Sequence, residues 1–570
     1  VHILVESTHV QMVFYAVCAF GLYLLLELIS RAVKKENLVP VLRSAALLLL
    51  AGGFAFAMGA DRYLSVMEYT PYSTRATAPI LKAENQNQDA SGGFDYEYAT
   101  NWSFSPEEVI TFFVPNYYGY GKLPYEGPET RGEEVHIGTY WGQMPFTDAA
   151  NYMGIGVLAF AIIGMLRFRK IVFVQFLIAL SVFSLFLSFG KNFPVLYDLF
   201  FHYVPSFNKF RAPSMALALM QFAMPILAGY GIAALIEMHG NAAPENRKKL
   251  LWGVLVAGAF LLIGIFYGAV YKESYITSVA TSQTGKQLPE SIHQFIYDQM
   301  ISDWYVTALL ALCFMVAAWL FVQRKMPRTA FFAVIALLLI VDLWRVGRRT
   351  FDIAKTSATE TVFNETDAIQ FLKQDKSLYR VADFTGSAPN KMAYFFEQNI
   401  HGYHAAKLRI YQDILDVAGK GGGSVIVNPF LWNLLNVKYI LSDRPFMEGV
   451  QPVFQSRESQ TLIYQNPSIL PRAFFVDTVK VAKQIDILNH LKDGDFNART
   501  LAYVEESLPT AVTPAGSGAS ATVTDFRNEY IGMDVNATGT NLLVVSEIYY
   551  PAGWQAYLDG KEVPIYKTNF

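Results

Sequence analysis

Residues 10–60 read VQMVFYAVCAFGLYLLLELIS, then RAVKKENLVP, then VLRSAALLLLAGGFAFAMGA. Two apolar runs flank a short connection that holds Arg31, Lys34 and Lys35, with Arg43 just beyond it. A helix needs about twenty apolar residues to cross roughly 30 Å of hydrocarbon, and each run supplies them. Lipid offers the backbone no hydrogen-bond partner, so runs this long suit helices rather than the ten-residue alternating strands of a barrel.

The pattern repeats outward from this stretch. Further apolar runs at 149–166, 171–189, 213–236, 250–271, 304–323 and 329–346 bring the expectation to about eight spans. The composition agrees: 53% of the 570 residues are hydrophobic and 16% charged, where a soluble chain carries about a quarter charged. Lys and Arg gather in every second connection, as Arg167, Arg169 and Lys170, Arg247 to Lys249, and Arg324, Lys325 and Arg328. Positive charge in short loops marks the cytoplasmic side. The longer connections 61–148, 190–212 and 272–303, and everything after about 350, are then expected outside. Arg345, Arg348 and Arg349 run against this rule at an outer end.

The expected fold is therefore a polytopic α-helical membrane protein with a C-terminal extracytoplasmic α/β plus β domain. Residues 1–349 form the transmembrane domain with the long outer loop 61–148, 350–513 a mixed α/β region and 521–570 a β region beyond the loop Pro514 to Ser520. Phe104 to Val114 and Phe193 to Val204 read as short interfacial helices. Asp559-Gly560 is a hairpin signal between Trp554–Leu558 and Val563–Tyr566. Val1 is neither Met nor the start of a signal peptide, so a fragment is expected.

A net charge of −3 supplies no basic excess for a nucleic-acid partner. Cys18 and Cys313 each lie in an apolar run, and two cysteines make no disulfide framework. The sequence has no P-loop, no dinucleotide glycine fingerprint, no HExxH and no GxSxG, and it identifies no cofactor. What remains is polar chemistry at outer helix ends. Asp61 and Arg62 close the second run and lead to Glu68 and Arg75; they read either as interfacial ion pairing or as a site for a polar acceptor. Lys191, Lys209 and Arg211, with Asn192 and Asn208, bring three cations and two amides to one outer loop, a set suited to a lipid-linked phosphate. His9, Gln11, Gln221 and Asp342 are polar groups in or near hydrocarbon, read as interhelical hydrogen bonders or as functional groups.

Several stretches resemble the YfhO family of bacterial polytopic membrane proteins, whose fold is similar to the GT-C class of polyprenyl-phosphate-sugar-dependent glycosyltransferases. They are Glu68 to Arg75 (EYTPYSTR), Asn101-Trp102-Ser103, Val114 to Gly119 (VPNYYG), Tyr140-Trp141-Gly142, and Ser188 to Asn192 with Val204 to Ser214. Later in the chain come His401 to His404 with Ala406 to Leu408, Leu435 to Tyr439, and Tyr549 through Trp554 to Lys561.

The resemblance implies transfer of a sugar from a polyprenyl-phosphate donor to a cell-envelope glycan or protein, at the outer face of the bacterial cytoplasmic membrane. It implies an acidic base in a first outer loop, upstream of this chain; Asp61 and Glu68 are only stand-ins. The lipid phosphate would fall to Lys191, Lys209 and Arg211, with Arg62 and Arg75 behind them. Trp554 and Tyr557 read either as part of a packed β core or as residues stacking on the acceptor. The alternatives are a transporter of lipid-linked sugar or polymer and a non-catalytic envelope scaffold.

Overall fold

Among the described residues six helices are long and apolar enough to cross a membrane: Val10–Val33, Val39–Met58, Pro213–Gly240, Pro244–Val270, Glu290–Val322 and Arg328–Gly347. The computed structural model describes residues 9–83, 94–240, 244–351, 363–386, 388, 390–395, 397–421, 425–445 and 450–570. Two further apolar stretches expected to span form the shorter helices Ile155–Phe168 and Val172–Ser188, of 14 and 17 residues. At 1.5 Å per residue these reach only about 21 and 26 Å, short of the roughly 30 Å of hydrocarbon.

The chain divides into two compact units, Val1–Tyr63 with Asp95–Ile353, and Leu64–Phe94 with Ala354–Phe570. The long connection 61–148 is thus shared between them instead of belonging wholly to the helical part.

In the helical unit, Ile155–Phe168 is the best-buried apolar helix of its length and packs along Leu217–Gly240. Two glycines make that approach possible. A Cβ built on Gly164 would stand 2.3 Å from the Leu227 carbonyl oxygen, and one on Gly231 would stand 1.9 Å from that of Phe160. Small residues at such crossings let backbones come close enough for dispersion to hold helices together in lipid.

The two expected interfacial helices diverge. Glu107–Phe112 is a single 3₁₀ stretch whose Glu108, Thr111 and Phe112 are buried, so it is an internal element. Its start is a reciprocal cap: the Glu108 amide donates to Ser105 Oγ at 3.2 Å and the Ser105 amide to Glu108 Oε2 at 2.8 Å. Val195–Tyr203 is a helix, with Tyr197 buried and Val195, Leu199 and Tyr203 forming an exposed apolar stripe at four-residue spacing.

In the C-terminal unit, a four-stranded mixed sheet runs in the order Arg380–Phe384, Val437–Ser442, Leu462–Gln465, Phe454–Gln455; its first pair is parallel and the others antiparallel. The region after Pro514 is not a separate β part. Leu542–Val545 returns to pair antiparallel with Ala473–Val476, and the Asn569 amide donates to the Tyr503 carbonyl at 2.8 Å. Asp559 and Gly560 have φ of 50° and 78°, the two positive values a type I′ turn requires, and join Ala556–Leu558 to Lys561–Val563. Gly422, Gly423 and Ser424, where a loop and a strand start are expected, lie outside the described residues.

Candidate functional site: a cation rim at the end of the apolar helices

The connection from Val172–Ser188 to Pro213–Gly240 carries the three expected cations, and its backbone is under local strain. Ser206 and Ala212, neither a glycine, take φ of 65° and 59°. Each such residue costs about 1–2 kcal/mol, and surrounding contacts must impose it. Here those contacts are visible. Phe207 is 1% exposed in a pocket with Tyr15 and Tyr197. The Ala212 amide donates to the Ala99 carbonyl and the Ser214 amide to that of Trp102, both at 3.1 Å. Gln11 Nε2, on the first apolar helix, donates to the Arg211 carbonyl at 2.8 Å and to Tyr15 Oη at 2.8 Å. Of the polar residues expected near hydrocarbon, Gln11 is therefore a tether that fixes where Arg211 begins.

The partner of this connection is the segment Asp95–Phe104. Asp95 Oδ1 accepts the Glu97 amide at 3.1 Å and so caps the turn Tyr96–Ala99. Side chains of that segment then reach the connection in succession. Tyr96 Oη donates to Asp198 at 2.6 Å, Lys191 Nζ lies 3.3 Å from Glu97 Oε2, and Arg211 Nη1 donates to Tyr98 Oη at 2.5 Å. The Arg211 guanidinium also stands 5.4 Å from the Tyr98 ring centre and 5.1 Å from that of Trp102. The Lys191 amide donates to Ser103 Oγ at 3.2 Å, and Asn192 Nδ2 to the Phe104 carbonyl at 3.0 Å. Two aromatic faces and a hydroxyl thus orient Arg211, and among the described residues no carboxylate pairs with it, which leaves a planar donor fork able to meet a phosphate.

The remaining expected site residues fall elsewhere. Lys209 is half-buried on the turn Phe207–Lys209, two residues before Arg211. Asp61 and Arg62 are exposed on helix Ala60–Tyr69. Glu68 and Arg75 belong to the C-terminal unit, where Tyr550 Oη donates to Glu68 at 3.3 Å and Arg75 Nε to the Ala405 carbonyl at 3.2 Å, its guanidinium 4.9 Å from the Phe94 ring centre. Three stretches of the resemblance meet there: Tyr69 Oη donates to the Ala406 carbonyl, the Thr74 amide to that of Lys407, and Tyr72 packs edge-on against Tyr550 at 5.0 Å. Tyr557 is 60% exposed, so it belongs to no packed core, while Trp554 is half-buried.

Two buried polar networks also lie in the helical unit. Tyr140 Oη donates to Glu108 Oε1 at 2.5 Å, and burial first of all holds this carboxyl above its ordinary range. The second pairs two of the three arginines that run against the charge rule, Arg345 and Arg349. Asp303, 2% exposed, accepts from Arg345 and takes two bonds from Arg349, at 2.7 and 2.6 Å. Arg345 Nη2 donates to Thr307 at 2.9 Å and lies 3.8 Å from Asp342. Asp342 in turn accepts Tyr152 Oη at 2.6 Å and the Ile155 amide at 2.9 Å, capping a helix whose own N-cap, Gly154, has no side chain to do it. Arg345 and Arg349 are matched by Asp303 and Asp342, so they add no net charge at that end.

Sequence reading did not single out Glu97, Tyr98 or Asp303; Trp102 appeared only within the Asn101-Trp102-Ser103 stretch. Among the described residues no three His, Cys, Asp or Glu side chains come together as a metal cage. No family model, curated protein or solved structure matches the chain.

Proposed function

We propose that this protein is a membrane glycosyltransferase of the GT-C kind, moving a sugar from a polyprenyl-phosphate donor to a cell-envelope glycan or protein at the outer face of the bacterial cytoplasmic membrane. The observation that supports it best is the Arg211 cradle: a guanidinium held by Tyr98 and Trp102, with Lys191 fixed by the same segment and Lys209 two residues before Arg211 in the chain. A polyprenyl phosphate leaves from a sugar when cations meet the charge that develops on it. Lys191, Lys209 and Arg211 take that role, and the exposed stripe of Val195, Leu199 and Tyr203 between them suits a membrane interface. Arg62 and Arg75 are set aside from the cradle. The exposed Tyr557 and half-buried Trp554 are offered as stacking residues for the acceptor on the C-terminal unit.

The test is Lys209→Ala with Arg211→Ala in the full-length protein. Envelope glycosylation is lost while membrane insertion stays normal; unchanged glycosylation contradicts the proposal. A transporter of lipid-linked sugar or polymer is the second reading, favoured by the buried Asp303, Arg345 and Arg349 group, since ionisable residues at membrane depth mark transport paths in many proteins. Loss of lipid translocation with sugar transfer intact would select it.

A further inference from the structure

We infer that the C-terminal unit binds a neutral glycan at Tyr69, Tyr72, Tyr550 and Glu68, and that the acceptor docks there, a role that rests on the reading just proposed. Three rings meet at this point. Tyr72 stands edge-on to Tyr550 at 5.0 Å, and Tyr69 lies tilted by 57° at 6.1 Å from the same ring. All three are half-buried, and among the described residues none joins a buried apolar cluster of this unit. Glu68, exposed beside them, accepts the Tyr550 hydroxyl on Oε1 at 3.3 Å. Its second oxygen and the Tyr72 hydroxyl make no hydrogen bond among the described residues, so both remain for a ligand.

The backbone fixes this group in place. The Thr74 amide donates to the Lys407 carbonyl at 2.8 Å, the buried Ser73 bridges to Leu408, and Tyr69 Oη donates to the Ala406 carbonyl at 2.8 Å. On the other side the Gly553 and Trp554 amides both donate to the Tyr550 carbonyl at 3.1 Å. A Cβ on Gly553 would stand 2.5 Å from Tyr550 Cδ1, so the ring lies over a turn that glycine leaves open. These bonds already fasten the segment, and each aromatic pair adds only about 0.5–1.5 kcal/mol to them. A pyranose presents C–H groups on its faces and hydroxyls around its rim. Rings beside a carboxylate match both, the rings taking the faces and the carboxylate accepting hydroxyls in charge-assisted bonds. Among the described residues the charged group that touches these rings is Glu68, so an acidic sugar would meet like charge and a neutral one would not.

The test titrates chitotetraose, a neutral pyranose oligosaccharide, and tetragalacturonate, an acidic one, into the full-length protein in phosphatidylcholine nanodiscs. Polyprenyl phosphate serves as the separate probe of the Arg211 cradle, and envelope glycosylation is read in cells carrying the same variants. The parent binds chitotetraose saturably and more tightly than tetragalacturonate. Glu68→Ala weakens that binding about tenfold or more, as loss of a hydrogen bond to a charged group does, and Tyr72→Ala about threefold or more. Both keep polyprenyl phosphate binding within about twofold while envelope glycosylation falls. Glu68 is exposed, so its variant reads the site even where Tyr72→Ala disturbs the fold. Chitotetraose that does not bind, or that binds both variants as it binds the parent, overturns the site; tighter binding of tetragalacturonate overturns its neutral specificity. Binding lost in both variants with glycosylation at the parent rate keeps the site and overturns its role as the acceptor's seat. Unchanged glycosylation when Lys209→Ala and Arg211→Ala are combined overturns the transfer reading and leaves the binding result standing.

Discussion

Arg211 and Arg472 carry the same charge in opposite surroundings. Arg472, in the C-terminal unit, has a side chain 3% exposed and bonds Glu547 at 3.0 Å and Gln398 at 2.5 Å; Arg380 shares Glu547 at 2.9 Å. Burial, and then the neighbouring Arg380, pull the Arg472 guanidinium down to about 10. Arg211 is half-exposed and held by two rings and a hydroxyl. One cation is spent inside the protein, where its partners fix the fold. The other is oriented and left available. Asp303 with Arg345 and Arg349 shows that the helical unit uses the first arrangement too.

This contrast predicts a gradient of effects. The largest belongs to Asp303→Asn, which leaves Arg345 and Arg349 buried without their carboxylate and lowers stability by about 3–5 kcal/mol. Thermal unfolding in detergent would register it, and an unchanged midpoint would mean that the network is incidental. Glu108→Gln comes next, at about 1–3 kcal/mol, because a buried carboxylate that accepts both the Tyr140 hydroxyl and the Ser105 amide gives way to a group with a single acceptor oxygen.

A pH effect follows from His401. Its Nε2 accepts the Ile426 amide at 3.1 Å, so Nδ1 carries the proton and donates to the Asp383 carbonyl at 3.0 Å. Burial, foremost, lowers its pKa below the ordinary 6.5. The unfolded chain therefore binds more protons than the folded one as pH falls through about 6.5, and the C-terminal unit loses stability there. Hydrogen-exchange protection of the Ile426 amide should drop between pH 7.5 and 5.5, and that pH dependence should vanish in His401→Gln. The smallest effect is at Tyr557, where Tyr557→Ala changes stability by no more than about 0.5 kcal/mol, since the ring packs against no core.

The parts legible in the sequence are those whose physics is local. Twenty-residue apolar runs and the Asp559-Gly560 turn each declare themselves within their own stretch. Ile155–Phe168 and Val172–Ser188 read as spans from composition and form shorter helices of 14 and 17 residues. The site was legible only by halves. Lys191, Lys209 and Arg211 stand out as cations in one short connection, whereas Glu97 and Tyr98 lie 94 and 113 residues from their partners, with no periodicity or motif to link them. The same holds for Asp303 and Arg349, 46 residues apart, and for Tyr69 and Ala406, 337 apart. Arg345 and Arg349 misled the charge rule because the rule counts cations and cannot see the buried carboxylate that matches them.

The central claim is that the Arg211 cradle receives an anionic lipid head group. Titrating polyprenyl phosphate into the full-length protein in phosphatidylcholine nanodiscs, with the fluorescence of Trp102 as the reporter, tests it directly. The account predicts saturable binding that weakens about tenfold or more in Arg211→Ala while the unfolding midpoint stays unchanged, a loss of roughly 1.4 kcal/mol of affinity or more. Equal affinity in parent and variant would contradict it.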